Sequence, residues 1–311
     1  MKINLGLADN QILYKINVDD SNFLNVESVI REFAAQGVNI IIATSYGYMD
    51  MCEKLAAEFP SVIFAHATGY KYNNANFTNY FGKVYEARYL SGIVAGAQTK
   101  SDKIGYVAAW GKENSEVTGG INAFAMGVRK ANPRAVIYVK ITYSWFDHMG
   151  ESAAARALIA AGCDVIAQHC DTASPQIEAE KAGIWGIGYN TNMSIDAPNA
   201  VLTSVIWRWS AYYTTLVKSV IDGTFSTTPW LGSLKDGIVD ISPLAKITVW
   251  QPETLRVLDE ERQRIENGAF TIFSGVMETN DGRNIGREGV DFSYEEIRNG
   301  INWYFKTIIE L

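Results

Sequence analysis

Aromatic, amide and acidic side chains recur directly after the predicted strands of this chain. Flat aromatic faces stack on planar or sugar rings, and Asp and Asn supply directional hydrogen bonds to ring edges and hydroxyls. Open α/β sheets bind ligands at the carboxyl ends of their strands. The pattern therefore predicts a binding site for a small ring-shaped molecule, with candidate contacts at Tyr46, Trp145, Asp147, Asp171, Asn190, Trp207 and Trp209.

Several of these residues also have a structural alternative. Trp145 could belong to the core between two lobes, and Asp147 could cap the helix that follows it. His169 could be a catalytic base, but a satisfied structural histidine explains it more readily. Trp207 and Trp209 lie two residues apart, so they would share one face of an extended segment and could present a ring to the ligand.

The signal for catalysis is weak. The chain contains no GxGxxG, GxxxxGK[ST], GxSxG or HExxH pattern. Cys52, Cys163 and Cys170 have no zinc-ligand spacing and are expected to be buried or free thiols. We therefore predict binding without turnover, with no catalytic residue, no metal and no cofactor.

Composition narrows the class of partner. Of 311 residues, 48% are hydrophobic and 20% are charged, which is typical of a soluble globular protein. The formal net charge is -7 and no Lys/Arg stripe is present, so nucleic acid is excluded as an expected partner. No apolar run reaches the length of a transmembrane helix.

Short apolar runs alternate with amphipathic helical stretches, which predicts an α/β fold with parallel sheets. The first strand is expected at residues 12–18, and the polar stretch 70–79 is expected to be a hinge. Two such series predict two doubly wound lobes, lobe I at 1–79 plus about 206–311 and lobe II at 80–205. A last helix is predicted over 294–309.

Several long segments carry a family resemblance. The chain resembles the BMP (basic membrane protein, or Med/PnrA-like) family of ABC importer substrate-binding lipoproteins. The matching segments include 43–50 (ATSYGYMD), 64–70 (FAHATGY), 79–96 (NYFGKVYEARYLSGIVAG), 120–133 (GINAFAMGVRKANP), 144–147 (SWFD), 168–171 (QHCD) and 202–209 (LTSVIWRW).

The resemblance implies a type I periplasmic-binding-protein fold, with two lobes joined by three crossovers and a ligand cleft between them. It also implies an extracytoplasmic, lipid-anchored protein that binds a purine nucleoside or nucleobase, or in some branches a flavin, and delivers it to ABC permease subunits. By residue match, the cleft positions are Trp145, Asp147, Asp171, Trp207 and Trp209, with Tyr46 and Phe81 as further candidates.

Two departures from the family pattern are visible. Asn190 and Asn192 stand where the family usually carries Asp, and Asn can both donate and accept hydrogen bonds. The family's first strand and helix have no counterpart before residue 12, so we expect an upstream signal peptide with a lipid-anchored cysteine followed by that unit, or another chain or segment in its place. A ligand-sensing module and a nucleoside-processing enzyme remain alternative functions.

Overall fold

The computed structural model describes all residues from 1 to 311. The helices are α1 (Lys2–Leu5), α2 (Phe23–Ala35), α3 (Met49–Glu58), α4 (Val84–Gln98), α5 (Ser115–Ala131), α6 (His148–Ala160), α7 (Ser174–Lys181), α8 (Ser210–Ile221), α9 (Pro252–Glu266) and α10 (Tyr294–Asn299). The strands are β1 (Ile40–Ala43), β2 (Ile63–Ala67), β3 (Phe77–Gly82), β4 (Lys103–Ala108), β5 (Val136–Ile141), β6 (Val165–His169), β7 (Trp185–Asn190), β8 (Val201–Trp207), β9 (Trp230–Gly232), β10 (Val239–Ile241), β11 (Ser274–Glu278), β12 (Asn284–Asp291) and β13 (Ile308–Glu310). None of these helices has the length and apolar character needed to cross a membrane.

The chain divides into two compact units. Unit 1 comprises Met1–Lys83 and Arg208–Ile238, and unit 2 comprises Val84–Trp207 and Val239–Leu311. The expected lobe I included everything after about residue 206, so the two divisions differ for the tail. The tail belongs with unit 2 because β10 pairs antiparallel with β8 and β13 pairs parallel with β5.

Unit 1 is built on a four-stranded parallel sheet in the order β1-β2-β3-β9. The hinge expected at residues 70–79 overlaps the start of β3, so the prediction of a hinge is wrong for residues 77–79. Asn76 is 3% exposed, and its amide nitrogen donates to the carbonyl oxygens of Ala56 and Val62 at 2.9 and 2.8 Å. The polar side chain thus satisfies buried backbone groups rather than facing solvent, which is why polarity alone gave the wrong interpretation.

Residues 12–18 were predicted as a strand and do not form one. Tyr14 and Ile16 are 80% and 72% exposed, and only Val18 packs against the core of unit 1. A strand requires a ladder partner, and the segment lies on neither edge of the sheet, where β1 pairs with β2 alone. The apolar run at residues 12–18 therefore has no sheet to join.

Unit 2 is built on a seven-stranded sheet in the order β10-β8-β7-β6-β4-β5-β13. Every neighbouring pair is parallel except β10 with β8, so the predicted α/β class with parallel sheets is confirmed. The chain leaves β4 for β5 on one side and then crosses to β6 on the other. This reversal of strand order is the point at which doubly wound sheets open a crevice at their carboxyl ends.

Helices α4 and α5 pack backbone to backbone in unit 2. A Cβ atom on Gly92 would lie 2.1 Å from the carbonyl oxygen of Phe124, and one on Gly127 would lie 1.9 Å from that of Tyr89. Only glycine permits this approach. The close packing buries nearly every side chain of α4, including Arg88, and fixes the start of α5 beside the carboxyl ends of β4 and β6.

The predicted last helix is wrong beyond Asn299. The helix α10 ends there, and the buried side chains of Ile301, Trp303 and Tyr304 fill the core of unit 2. The chain then adds β13 to the edge of the seven-stranded sheet. The apolar residues after α10 instead form a buried connection between α10 and β13.

Candidate functional site

The carboxyl ends of the parallel strands of unit 2 gather polar and aromatic side chains at one edge of the sheet. Sequence reasoning placed Trp145, Asp171, Asn190 and Trp207 there, and the structure brings all four to this edge as the residues that follow or end β5, β6, β7 and β8. Further side chains from α4, α5, β6 and β7 join them. We call the whole set the strand-end cluster: Arg88, Glu116, Trp145, His169, Asp171, Tyr189, Asn190 and Trp207.

Asp171 and Asn190 lie in direct contact. The Asn190 amide Nδ2 donates to Asp171 Oδ1 at 2.8 Å, and the backbone N–H of Asp171 donates to the carbonyl oxygen of Trp145 at 2.7 Å. Desolvation raises the pKa of Asp171, and the hydrogen bond from Asn190 opposes that rise. An aspartate at position 190 would instead set two carboxylates side by side, which gives a physical reason for the asparagine.

The backbone of Asn190 is also unusual, with φ at +66°. Asparagine tolerates this left-handed region better than most side chains. The residue that departs from the family pattern is therefore suited both to its backbone conformation and to its acidic neighbour.

Aromatic rings pack around His169 at the centre of the strand-end cluster. The ring centroid of His169 lies 5.9 Å from that of Trp145 and 4.6 Å from that of Tyr189, both edge to face. The indole Nε1 of Trp207 donates to the Tyr189 hydroxyl at 3.2 Å. Trp145 and Trp207 remain half-buried, so part of each indole is accessible to a ligand.

Arg88 supplies a buried positive charge beneath these rings. Its side chain is fully buried, its Nη1 donates to the carbonyl oxygen of Gln168 at 2.6 Å, and its guanidinium lies 4.1 Å from the centroid of the Tyr189 ring. Its Nε and Nη2 atoms have no hydrogen-bond partner. Sequence reasoning missed this residue, although an arginine inside the largely apolar segment 84–96 is the signal that could have found it, because a buried charge requires partners.

His169 is buried as a structural histidine would be, but its ring nitrogens make no hydrogen bonds. It is fully buried, and neither ring nitrogen has a hydrogen-bond partner. Burial, with the nearby Arg88 charge, lowers the pKa of His169 well below its usual value, so the ring is neutral at physiological pH. The expectation of a satisfied structural histidine is thus wrong on hydrogen bonding.

Glu116 is the second functional group that sequence reasoning missed. It lies in the first turn of α5, with Oε1 3.9 Å from Nε2 of His169 and its side chain 28% exposed. Desolvation raises the pKa of Glu116 to about 7, with the Arg88 charge acting against the rise and Asp171 adding to it. In the sequence the residue is one glutamate at a helix start, which is an ordinary position for an acidic side chain.

Asp147 takes its structural alternative. Its Oδ1 accepts from the backbone N–H groups of Met149 and Gly150 at 3.1 and 3.0 Å, which caps α6. Capping uses Oδ1 and does not show whether Oδ2 contacts a ligand, so the ligand contact of Asp147 stays a prediction.

Trp207 and Trp209 do not share a face of one extended segment, so that expectation is wrong. Trp207 ends β8 in unit 2, whereas Trp209 has φ −51° and ψ −24° and is the N-cap residue of α8 in unit 1. Within unit 1 the Trp209 ring lies 6.3 Å from that of Phe81, and Tyr46 is 58% exposed. Ligand contact by Phe81, Trp209 and Tyr46 stays a prediction.

Two open pockets in unit 2 lie away from the strand-end cluster. A pocket of about 180 Å³ is bordered by Asn192, Thr203 and Ser242, among others, and a shallower one of about 260 Å³ by Tyr89, Phe270 and Phe305, among others. Asn192, two residues after the end of β7, therefore borders a pocket that Asn190 does not line. No group of three or more His, Cys, Asp and Glu side chains is arranged to hold a metal ion, and all three cysteines are buried free thiols.

Comparison with known proteins supplies relatives over most of the chain. The chain is 36% identical over 282 residues to a purine-binding protein of Brucella abortus, covering 90% of this chain and 78% of that protein. It is 34% identical over 253 residues to a putative ABC transporter glucose-binding protein of Haloferax volcanii, covering 80% of this chain but 62% of that protein.

A solved structure shows the same fold. An ABC transporter solute-binding protein from Conexibacter woesei superposes with a TM-score of 0.72 at 21% identity, covering 87% of this chain and 89% of that one. The arrangement of parallel sheets in each unit agrees with the type I periplasmic-binding-protein fold expected from the sequence.

The family assignment follows from the match of residues 7–272 to the Bmp family, described as ABC transporter substrate-binding protein PnrA-like. Such proteins bind a small molecule outside the cytoplasm for an ABC permease and are not enzymes, in agreement with the predicted absence of turnover. The resemblance drawn from the sequence is confirmed, and the chain belongs to the Bmp family of PnrA-like ABC transporter substrate-binding proteins.

Proposed function

We propose that this chain binds a purine nucleobase or nucleoside at the strand-end cluster and delivers it to an ABC permease. The observation that carries the proposal is that one cluster holds both aromatic faces, which can stack on a ring, and polar groups, which can hydrogen-bond to the edge of that ring. Trp145 and Trp207 offer half-buried aromatic faces, while the Asp171–Asn190 pair offers donors and acceptors within the same cluster. A planar heterocycle with polar edges matches both features.

The Asp171–Asn190 pair also favours a ligand that makes hydrogen bonds. A purely apolar ligand would cover these polar groups without pairing them, which costs free energy. The Brucella relative is named as a purine-binding protein, which supports the same ligand class.

Glucose is the second candidate because the Haloferax relative is named as a putative glucose-binding protein. A sugar ring also stacks on aromatic faces, and its hydroxyls also pair with Asp and Asn. A purine differs in having an extended π-face and ring nitrogens. The two ligand classes must therefore be separated by measurement.

Calorimetry on ligand-stripped protein provides that measurement. We expect adenine, adenosine, guanosine or inosine to bind with about micromolar affinity or better, roughly -8 kcal/mol, and to change tryptophan fluorescence. Riboflavin and glucose are the comparison ligands. Binding of glucose alone, or the absence of heat with every purine in correctly folded protein, would contradict the proposal.

Two finer expectations accompany the transport role. Incubation with adenosine or inosine should return the nucleoside unchanged, and a released base would favour the alternative of a nucleoside-processing enzyme. A lipid anchor is proposed from the family resemblance, and detergent-phase partition of the protein expressed from its natural gene would test it. A ligand-sensing role would instead require binding to a signalling partner in place of a permease.

A further inference from the structure

Glu116 faces the strand-end cluster from a helix that supplies none of the predicted contacts. Its carboxylate approaches His169 to 3.9 Å, a distance beyond a normal hydrogen bond. Its side chain keeps 28% exposure, so a ligand bound at the strand-end cluster can reach it. The carboxylate therefore lies at the cluster without a hydrogen bond to the imidazole of His169 beside it.

The neighbouring imidazole of His169 is tightly packed, and its ring nitrogens make no hydrogen bonds. A Cβ atom on Gly120 would lie 2.9 Å from Nδ1 of His169, so the glycine in α5 makes room for the ring. The ring is fully buried, and both of its nitrogens lack partners. The ring therefore forms the packed wall beside Glu116, and of these two groups the carboxylate is the one that keeps exposure.

The titratable and charged groups around Glu116 come from three elements. Arg88 on α4 favours the ionised carboxylate, whereas Asp171 after β6 disfavours it. Tyr189 on β7 and His169 on β6 are both uncharged at neutral pH. Since desolvation raises the pKa of Glu116 to about 7, the acid and the carboxylate are both populated near neutral pH.

The two forms of a carboxyl group recognise different ring edges. A protonated carboxyl donates one hydrogen bond and accepts another, whereas a carboxylate only accepts. Adenine presents an amino donor beside a ring-nitrogen acceptor, and guanine presents two adjacent N–H donors. The acid therefore complements the adenine edge, and the carboxylate complements the guanine edge.

We infer that Glu116 reads the ring edge of the bound purine, and that its protonation selects adenine-type edges as the acid and guanine-type edges as the carboxylate. The inference rests on the proposed function and adds a specificity-determining residue to it.

The wild-type protein provides the first test. Calorimetry with adenosine and with guanosine at pH 6, 7 and 8 should give opposite trends, because neither base titrates in this range. A carboxyl with a pKa near 7 passes from about nine-tenths to about one-tenth protonated between these limits. Adenosine affinity should therefore fall about tenfold, and guanosine affinity should rise about tenfold.

The variant Glu116→Gln provides the second test, since an amide permanently carries one donor and one acceptor, like the acid. Its adenosine affinity at pH 8 should equal its affinity at pH 6, and guanosine should bind weakly throughout. Glu113→Gln is the matched control, because Glu113 accepts from the Gly111 N–H and glutamine keeps that acceptor. It should show the wild-type pH trends.

The outcomes separate the inference from the proposed function. Failure of the wild type to bind any purine would overturn both. Purine binding in which adenosine and guanosine affinities move in parallel with pH would overturn the inference alone. Opposite trends that persist unchanged in Glu116→Gln would assign the selection to another group, and Glu116→Ala, which removes both donor and acceptor, should abolish the divergence whatever its effect on affinity.

Discussion

At the residue scale, Trp145 is the side chain on which stacking can be tested directly. The substitution Trp145→Ala should weaken the binding of all purines alike, by about 1–3 kcal/mol, because every base has a π-face. Calorimetry with adenosine, guanosine and inosine measures the effect. Trp185→Ala is the matched control, since Trp185 is a half-buried tryptophan at the opposite end of β7 from Asn190.

The contrasting substitution is Asp171→Ala, which removes a directional acceptor and should change the ranking among purines more than the shared stacking contribution. If Trp145→Ala stays folded and binds every purine normally, the tryptophan belongs to the core of unit 2, and the site does not depend on its face.

The residues of the strand-end cluster differ in how far the sequence could place them. Asp171 and Asn190 follow consecutive parallel strands, and parallel strands bring their ends to one edge, so their proximity was predictable. Arg88 and Glu116 lie on helices whose positions depend on the close packing of α4 and α5. That packing is set by the match of glycines on one helix to carbonyl groups on the other, which no single-sequence pattern reveals.

At the element scale, Asp147 provides a way to separate capping from ligand contact. Asp147→Ala removes the acceptor for two backbone N–H groups of α6 and should lower the free energy of unfolding by about 1 kcal/mol. Asp147→Asn keeps a capping oxygen and should restore stability in urea denaturation. If purine affinity falls in the asparagine variant while stability is retained, the carboxylate contacts ligand as the family match predicted.

The packing of α4 against α5 gives a second element-scale prediction. Gly127→Ala places a methyl group 1.9 Å from the carbonyl oxygen of Tyr89, which forces the helices apart and should destabilise unit 2 by about 3 kcal/mol or more. Gly119→Ala is the control on the same helix, where the added methyl would lie 3.3 Å from the tip of Ile301 and 4.0 Å from the ring of Phe273. Its helix-propensity gain of up to about 1 kcal/mol should offset that contact.

Denaturant unfolding followed by circular dichroism measures both glycine variants. Equal stability of Gly127→Ala and Gly119→Ala would show that the helices can separate without cost. The result bears on function, because α4 carries Arg88 and α5 carries Glu116 to the strand-end cluster.

At the scale of the whole molecule, the sequence predicted the alternation of elements better than the course of the tail. Apolar runs identify strands buried on both faces, so the parallel sheets were predictable. Whether residues 12–18 and 300–310 form strands depended instead on pairing with the edge of a sheet. Both segments are apolar, but β13 pairs with β5, whereas residues 12–18 form no strand.

The stability of the chain should depend on pH through two groups that act in opposite directions. The pKa of Glu116 is raised from 4.5 to about 7, so the stability it contributes is present below pH 4.5 and is lost as pH rises towards 7. The pKa of His169 is lowered from 6.5, so its contribution is present above pH 6.5 and is lost as pH falls. Between these limits the two contributions oppose each other.

Glu116→Gln removes the carboxyl of Glu116, so the pH dependence of the variant's stability should reflect His169 without the opposing contribution of Glu116. The free energy of unfolding of the variant, relative to wild type, should rise between pH 5 and pH 7 by up to about 3 kcal/mol and then level off. Urea denaturation of ligand-free protein across pH 5–8, followed by tryptophan fluorescence, measures this difference. Glu113→Gln should differ from wild type by a constant amount over the same range. A difference between Glu116→Gln and wild type that stays constant with pH would mean that Glu116 ionises at its ordinary value in the folded chain, and the proposed selection of purine edges by its protonation would lose its chemical basis.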